Sequence, residues 1–258
     1  MSQNSSSEVE PIVAPAKRRW WTIVAIPAWV FLGFMVAQLV LSALLIGLRA
    51  IGVPLSTVND SVFSSIVAAV VYTLTAAIVI GLPWLIIKYK TSRRELGLSG
   101  LPTWTDILLT PVGFIGYIII STVLVYGASA LFPGFDINQA QETGFSGINQ
   151  QYELILAFAT LVVLAPIAEE VLFRGYLLAK LRRYVPLWLA VLVTSIVFGA
   201  FHGAWNLALD TFALSIILCI LRIKTNSLWA PILLHMTKNA IAFYLLFINP
   251  MLLNTIGG

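Results

Sequence analysis

Seven long runs of apolar residues constrain the fold of this chain more than any other feature of its sequence. The runs lie at 20–48, 62–87, 107–132, 152–173, 187–203, 206–221 and 228–248. About 20 apolar residues cross a hydrocarbon core of ~30 Å as a helix, and a helix satisfies its own backbone groups where no water is present. The chain is 59% hydrophobic and 10% charged, whereas soluble domains are about 25% charged. The sequence therefore predicts an all-α polytopic transmembrane bundle of about seven spans.

The basic residues predict how this bundle is oriented. They gather before the first run and after the second, fourth and sixth: Lys17, Arg18, Arg19; Lys88, Lys90, Arg93, Arg94; Arg174, Lys180, Arg182, Arg183; Arg222, Lys224. The gaps between these clusters hold one basic residue, Arg49. Because Lys and Arg collect on the cytoplasmic side, we expect a cytoplasmic N-terminus and an external C-terminus. The formal charge of +4 is thus a topology signal, and we expect no nucleic-acid partner.

The remaining sequence predicts one tail and no soluble second domain. Residues 1–16, MSQNSSSEVEPIVAPA, have the composition of a disordered cytoplasmic tail, and residues 17–258 form the transmembrane domain. The first run is longer than the ~7–15 residues of a signal-peptide core, so we interpret it as an uncleaved span. The single cysteine, Cys219, excludes an intrachain disulfide and is expected to pack in the core.

Charged residues interrupt the end of the fourth run, in APIAEEVLFRG at 165–175. Adjacent residues on a helix point about 100° apart, so Glu169 and Glu170 cannot share one face. Glu170 and Arg174 stand at i and i+4 with the acid first, which is the favoured arrangement for an ion pair. We therefore expect Glu170 to pair with Arg174 and Glu169 to face elsewhere. Taken alone, the stretch also fits two acids that simply lie at the water interface.

Both histidines of the chain lie inside apolar runs as well. His202 is in SIVFGAFHGAWN and His235 is in APILLHMTKNAIAF. A lone intramembrane histidine often hydrogen-bonds one helix to another, but ionisable groups at membrane depth are costly and mark functional sites. His235 and Asn239 are four residues apart and share a helix face. The two histidines therefore join the glutamates as candidate site residues.

Three motifs together resemble those of the CPBP family, the CAAX-type and bacteriocin-processing intramembrane glutamic endopeptidases, also called Abi proteins. They are Glu169-Glu170-x-x-x-Arg174, Phe198-x-x-x-His202 and His235-x-x-x-Asn239. They define a core at about 150–248, whereas the first three spans match the family only as hydrophobic helices. The segment RRELGL after the second span is also similar to one common in the family.

The resemblance implies an intramembrane endopeptidase that uses a water and no cofactor. Glu169 and His202 would activate the water that attacks the scissile carbonyl, and His235 and Asn239 would donate hydrogen bonds to the oxyanion. Glu170, Arg174 and Phe198 would hold these reacting groups in position without taking part in the reaction themselves. The substrate would be a membrane-associated or lipidated peptide or protein within the bilayer.

Depth within the membrane is a difficulty for this site. At ~1.5 Å per residue, His235 lies roughly 10 Å into the seventh helix, whereas His202 lies roughly 24 Å from Pro186 if the fifth helix stands upright. The three side chains can meet only if the short fifth and sixth spans are tilted or packed within the bundle. Straight and full-length helices would keep them apart.

Other chemistries leave few traces in the sequence. There is no His-Glu-x-x-His zinc-protease motif and no pair of Gly-x-Gly-Asp aspartates, and Ser129 in YGASA lies at the external end of the third span. Glu169, His202 and His235 still offer two nitrogens and one oxygen to zinc, so a zinc site remains the alternative to a metal-free one.

Two functions without proteolysis also remain open. One is an immunity or scaffold protein that binds a peptide partner in the same pocket. The other is a small transporter with the buried acids as proton relays, which the absence of inverted repeats disfavours. In each case we expect an integral protein of a bacterial cytoplasmic membrane, with its site open to the cytoplasm. The sequence does not predict the oligomeric state.

Overall fold

The helices of the chain are seen in a computed structural model that describes residues 19–137, 148 and 150–252. Within these ranges seven long helices form the bundle, one short α-helix lies in a connector, and a 3₁₀ turn, Leu55–Thr57, lies between the first two long helices. The helices are α1 Thr22–Ala50, α2 Asp60–Ile87, α3 Arg93–Leu96, α4 Trp104–Leu131, α5 Gln151–Leu181, α6 Leu187–Ala200, α7 Trp205–Thr225 and α8 Trp229–Ile248. The predicted disordered tail at 1–16 lies outside the described residues.

The predicted polytopic helical bundle is confirmed. Six of the described helices are long and apolar enough to cross a membrane, and α6, with 14 residues, is shorter. No strand is present in the described ranges. Large apolar side chains cover the outer surface, such as Leu39 at 68% exposure and Trp188 at 66%. In a bilayer these faces contact lipid rather than water.

Three helix ends differ from the predicted spans. The fourth span was predicted to end at 173, but α5 continues to Leu181 because the charged residues beyond that point have partners inside the protein. The fifth span was predicted to reach 203, whereas α6 ends at Ala200 and leaves His202 in a turn. The sixth span is longer than predicted, since α7 continues past 221 to Thr225.

α5, which carries the glutamates, is not a uniform α-helix. π-helical turns at Ala159–Leu164 and Val171–Leu177 flank a short α-helical segment, Ala165–Glu170. In a π turn each N–H donates to the carbonyl five residues earlier, as Ala165 does to Thr160. In the same pattern residue 166 would donate to the carbonyl of Leu161, but Pro166 has no N–H. The Leu161 carbonyl therefore has no backbone donor from this turn. π turns of this kind occur frequently at functional sites.

α6 and α7 form a tight hairpin that carries the His202 turn. Gly199 allows the close approach, because a Cβ atom there would lie only 2.7 Å from the carbonyl oxygen of Ala208. Gly203 closes the turn with φ of +77°, a backbone conformation that favours glycine. α7 then packs between α4 and α8. The hairpin therefore holds His202 within the bundle.

The connector between α2 and α4 ties three other helices together at one end of the bundle. Glu95 of α3 forms an ion pair with Lys180 at the end of α5. The Arg222 guanidinium on α7 donates to the backbone oxygen of Glu95 at 3.0 Å, and the Leu228 N–H donates to the Gly97 oxygen at 2.8 Å. The RRELGL segment thus links the ends of α5 and α7 to the start of α8.

Candidate active site

The Glu170 carboxylate lies at the buried base of the site, where α5 meets α8. Its Oε1 accepts a hydrogen bond from Arg174 Nη1 at 2.8 Å, and both side chains are fully buried. The same oxygen accepts from Nδ1 of His235, also at 2.8 Å. The ion pair predicted between Glu170 and Arg174 is therefore confirmed. The link to His235 was not predicted, and it fixes the orientation of that imidazole.

Glu169 faces a different side of α5, as the helical spacing predicted. One carboxylate oxygen, Oε2, lies 3.8 Å from His235 Nε2, and the side chain is 14% exposed. The other oxygen, Oε1, accepts a hydrogen bond from the Tyr72 hydroxyl at 2.5 Å. Glu169 is thus held between α2 and α8, with a small part of its surface accessible.

Tyr72 is a site residue that the sequence reasoning missed. It lies in the second apolar run, among valines, leucines and alanines, and it belongs to none of the three motifs. The only sequence signal is that a hydroxyl at membrane depth needs a hydrogen-bond partner. That requirement does not say which partner, so the contact is seen only in the structure.

His202 reaches the same site from the turn between α6 and α7. Its Nδ1 donates to the backbone oxygen of Phe198 at 2.8 Å, which leaves Nε2 as the second ring nitrogen for a ligand or a water. The imidazole packs against the Phe198 ring, which also contacts the His235 ring. His202 therefore belongs to the same cluster as the other two candidate groups.

The predicted depth difference between His202 and His235 is not observed, because both imidazoles pack against the Phe198 ring. Glu169 lies about 18 Å along the axis from the end of α5 at Leu181, because this helix is longer than predicted. His202 lies about 22 Å from the start of α6 at Leu187. The lengths of α5 and α6 thus allow Glu169 and His202 to lie at similar depths in the bundle.

Phe198 packs at the centre of the cluster. Its ring lies 4.8 Å from the His202 ring and 5.8 Å from the His235 ring, measured between centroids. The Arg174 guanidinium carbon sits 4.2 Å from the Phe198 centroid, a cation–π contact. Phe198, from the second motif, is therefore a packing support for both imidazoles.

Asn239 lies one turn beyond His235 and contacts the irregular part of α5. Its Nδ2 donates to the Leu161 carbonyl at 2.9 Å, which is the carbonyl that Pro166 leaves without a backbone donor. One N–H of the amide is therefore engaged with the helix, and the second is available for a substrate. The structure thus gives Asn239 a structural contact in addition to its predicted role.

A second polar cluster, also missed by the sequence reasoning, lies beside the first. Asp210 of α7 accepts hydrogen bonds from Tyr117 at 2.7 Å and from Ser121 at 2.6 Å, both on α4. Lys238, the neighbour of Asn239 on α8, lies 3.5 Å from Asp210, with side-chain exposures of 18% and 23%. The cluster joins α4, α7 and α8 next to the histidines.

No group of three or more His, Cys, Asp or Glu side chains within the described ranges is arranged to hold a metal ion. A metal-free site remains a prediction. Glu169 and the two histidines would be the ligands to consider if zinc were present.

Comparison with known proteins bears on the part of the chain that contains this cluster. Residues 151–241 match the family model described as type II CAAX prenyl endopeptidase, Rce1-like. We call this matching segment the Rce1-like domain. The resemblance to the CPBP family that the three motifs predicted is thereby confirmed for the segment. The Rce1-like domain holds all seven predicted site residues, whereas Tyr72 lies outside it.

One curated relative is an uncharacterized 24.3 kDa protein of Escherichia coli. It is 39% identical over 89 residues, which cover 33% of this chain and 41% of the relative. The chain thus matches less than half the length of that relative. No solved structure matches the chain.

Proposed function

We propose that this protein is an intramembrane endopeptidase that hydrolyses a peptide bond of a membrane-associated or lipidated peptide with a water activated by Glu169. The proposal rests on one observation, the convergence of Glu169, His202 and His235 from three separate parts of the chain. The Rce1-like domain supports an endopeptidase, since the description of its family is that of a CAAX prenyl endopeptidase.

In the proposed reaction, Glu169 is the general base. It accepts a proton from a water held between its carboxylate and Nε2 of His202, and the water oxygen attacks the scissile carbonyl carbon. The proton then passes to the leaving amine as the carbon–nitrogen bond breaks. The Tyr72 hydroxyl bonds to Oε1 of Glu169 and leaves Oε2 as the oxygen that faces His235 and the reacting groups.

His235 and Asn239 stabilise the negative charge on the attacked carbonyl oxygen. His235 donates from Nδ1 to Glu170, so it donates from Nε2 to the oxyanion only as the doubly protonated imidazolium, and this is the form that the proposed reaction requires. Asn239 supplies its remaining N–H. Loss of one such donor typically lowers kcat by about 10²–10³-fold.

The proposed substrate enters from the cytoplasmic side of a bacterial membrane. The ends of α2, α5 and α7 carry the basic clusters, and such clusters mark the cytoplasmic side. A prenylated or otherwise lipid-anchored peptide is held at this surface by its lipid, which keeps its backbone close to the protein.

Cleavage of a lipidated membrane peptide by the purified protein tests the proposal. We expect Glu169→Gln and His202→Ala to lower the rate by roughly 10²–10⁴-fold, as for loss of a general base. Asp60→Asn is the matched control, because it also converts an acid to an amide, but at an exposed position at the start of α2. If Glu169→Gln cleaves the peptide at the same rate as wild type, the proposal is wrong.

A binding or immunity function without proteolysis makes the opposite prediction. In that case Glu169→Gln keeps full biological activity in a complementation assay, since an amide of the same shape still fits the pocket. The two functions are therefore separated by one isosteric substitution.

A further inference from the structure

A polar cavity lies at the end of the bundle that carries the basic clusters, separate from the candidate active site. Its volume is about 330 Å³, and it is formed where α3, the end of α5 and the end of α7 meet. Its lining residues are Ser92, Arg94, Glu95, Ala179, Arg182, Arg183 and Asn226. Three of these are arginines and one is an acid.

The single acid of this cavity is already neutralised. Glu95 forms ion pairs with Lys180 and with Arg183, the latter at 3.0 Å. Within the described residues neither Arg94 nor Arg182 has an ion-pair partner, and both are exposed. The cavity therefore presents two guanidinium groups without a compensating negative charge.

A buried arginine next to the cavity increases this excess of positive charge. Arg222 is 3% exposed and bonds to Asn226 of the cavity wall at 3.2 Å. Its other bond is to a backbone oxygen of Glu95, so its charge is not balanced by an acid. Arg182 and Arg222 also repel each other electrostatically. An anion in the cavity would relieve this repulsion.

The position of the cavity indicates the source of the anion. It lies just beyond the ends of the membrane-crossing segments of α2, α5 and α7, which is the level of the lipid headgroups. Arginine is the side chain best suited to a phosphate, because its planar group donates two parallel hydrogen bonds. Juxtamembrane clusters of Lys and Arg attract anionic lipids.

We propose that this cavity binds the phosphate of an anionic membrane lipid, with Arg94 and Arg182 as the residues that contact it. The site is independent of the peptidase proposal, because none of its residues belongs to the Glu169 cluster. The shared chemistry is a phosphate oxyanion, and the lipid headgroup is its source.

Native mass spectrometry of the full chain in a neutral detergent tests this proposal. The protein is titrated with a phosphatidylglycerol or with a phosphatidylcholine of the same acyl chains. We expect wild type to prefer phosphatidylglycerol, and we expect Arg94→Gln with Arg182→Gln to reduce this preference by roughly 10- to 30-fold, since each basic group is worth about tenfold or less. Each single variant should lose about fivefold.

The matched control is Arg93→Gln with Lys224→Gln. These residues are exposed at the same end of the bundle and do not line the cavity, so the double variant has the same change in net charge. It should keep the preference of wild type. Equal loss in both double variants would show a diffuse positive surface and overturn the proposal, as would an unchanged preference in Arg94→Gln with Arg182→Gln.

Inorganic phosphate distinguishes the two sources of the anion. If the site takes lipid, millimolar phosphate should displace phosphatidylglycerol only weakly. Binding of phosphate that depends on Arg94 and Arg182, without preference for phosphatidylglycerol, would show a site for a free anion and would also overturn the lipid proposal. Cleavage activity is not needed for any of these measurements.

Discussion

The Glu169 carboxylate is fixed by groups on both of its oxygens. Tyr72 bonds to Oε1 at 2.5 Å, and His235 faces Oε2 at 3.8 Å. A general base must be placed within a few tenths of an ångström of the proton it removes. We therefore interpret Tyr72 as a positioning residue, which acts on the reaction through Glu169.

Tyr72→Phe removes this hydrogen bond and little else. We expect kcat to fall about tenfold with an unchanged KM, because loss of a bond to a charged group costs ~1.5–3 kcal/mol in favourable cases, part of which local rearrangement recovers. The measurement is steady-state cleavage together with a thermal melting curve. Tyr126→Phe, a change at a tyrosine 64% exposed on α4, should alter neither quantity. A fall in melting temperature that accounts for the lost activity would contradict a positioning role.

Asp210 and Lys238 are expected to stabilise each other within the bundle. Their ion pair joins α7 to α8, and Tyr117 and Ser121 also hold Asp210. A double-mutant cycle of Asp210→Asn and Lys238→Met should show a coupling of about 1 kcal/mol in the free energy of unfolding. The control cycle combines Lys238→Met with Asp60→Asn on α2 and should be additive. If the Asp210 cycle is additive as well, the ion pair between Asp210 and Lys238 contributes nothing to the free energy of unfolding.

The sequence predicted the parts of the site that follow from spacing along one helix. Glu170 and Arg174 pair as i and i+4 residues do, and Phe198 packs against His202 one turn away. Tyr72 and Asp210 were not predicted, because their partners lie on other helices. Periodicity within one apolar run does not say which helix face meets which neighbour.

At the scale of helices, α5 shows why its end was predicted too early. The sequence analysis ends the fourth run at 173 and places Arg174 and Lys180 in the basic cluster that follows it, since cations usually end a span. In the structure Arg174 is paired with Glu170 and Lys180 with Glu95, so the helix continues past both of them. Charge marks the end of a span only where the charge lacks a partner inside the protein.

The α6–α7 hairpin depends on the absence of a side chain at Gly199. In Gly199→Ala the new Cβ would lie 2.7 Å from the Ala208 backbone oxygen, so the two helices must separate at a cost of ~1–3 kcal/mol. We expect a lower melting temperature and a loss of cleavage, because the same hairpin carries His202. The control is Gly127→Ala on α4, where the added Cβ would meet no atom within 4 Å. This variant should keep the melting temperature and the cleavage rate of wild type. Wild-type stability in Gly199→Ala would show that the observed approach is not required.

At the scale of the whole molecule, the helix order and the basic clusters together predict the orientation. α6 and α7 form a hairpin whose two ends lie on the same side of the membrane. The side on which the C-terminus lies is therefore the same whether or not this hairpin crosses the whole bilayer. The basic clusters then predict a cytoplasmic N-terminus and an external C-terminus.

Reporter fusions measure this orientation directly. We expect a fluorescent protein at the N-terminus to fluoresce and one at the C-terminus to remain dark, while alkaline phosphatase at the C-terminus is active. The reverse pattern would contradict the predicted orientation and would also move the arginine-lined cavity to the external face.

The bond from Tyr72 to Glu169 has a practical consequence for engineering. A fragment cut at the boundaries of the Rce1-like domain, 151–241, would carry every motif residue and still lack the Tyr72 hydroxyl that bonds to Glu169. Grafting the three motifs onto another membrane scaffold would therefore transfer the reacting groups without their alignment. A working transplant must include a helix from outside the domain, placed so that a tyrosine reaches the acid.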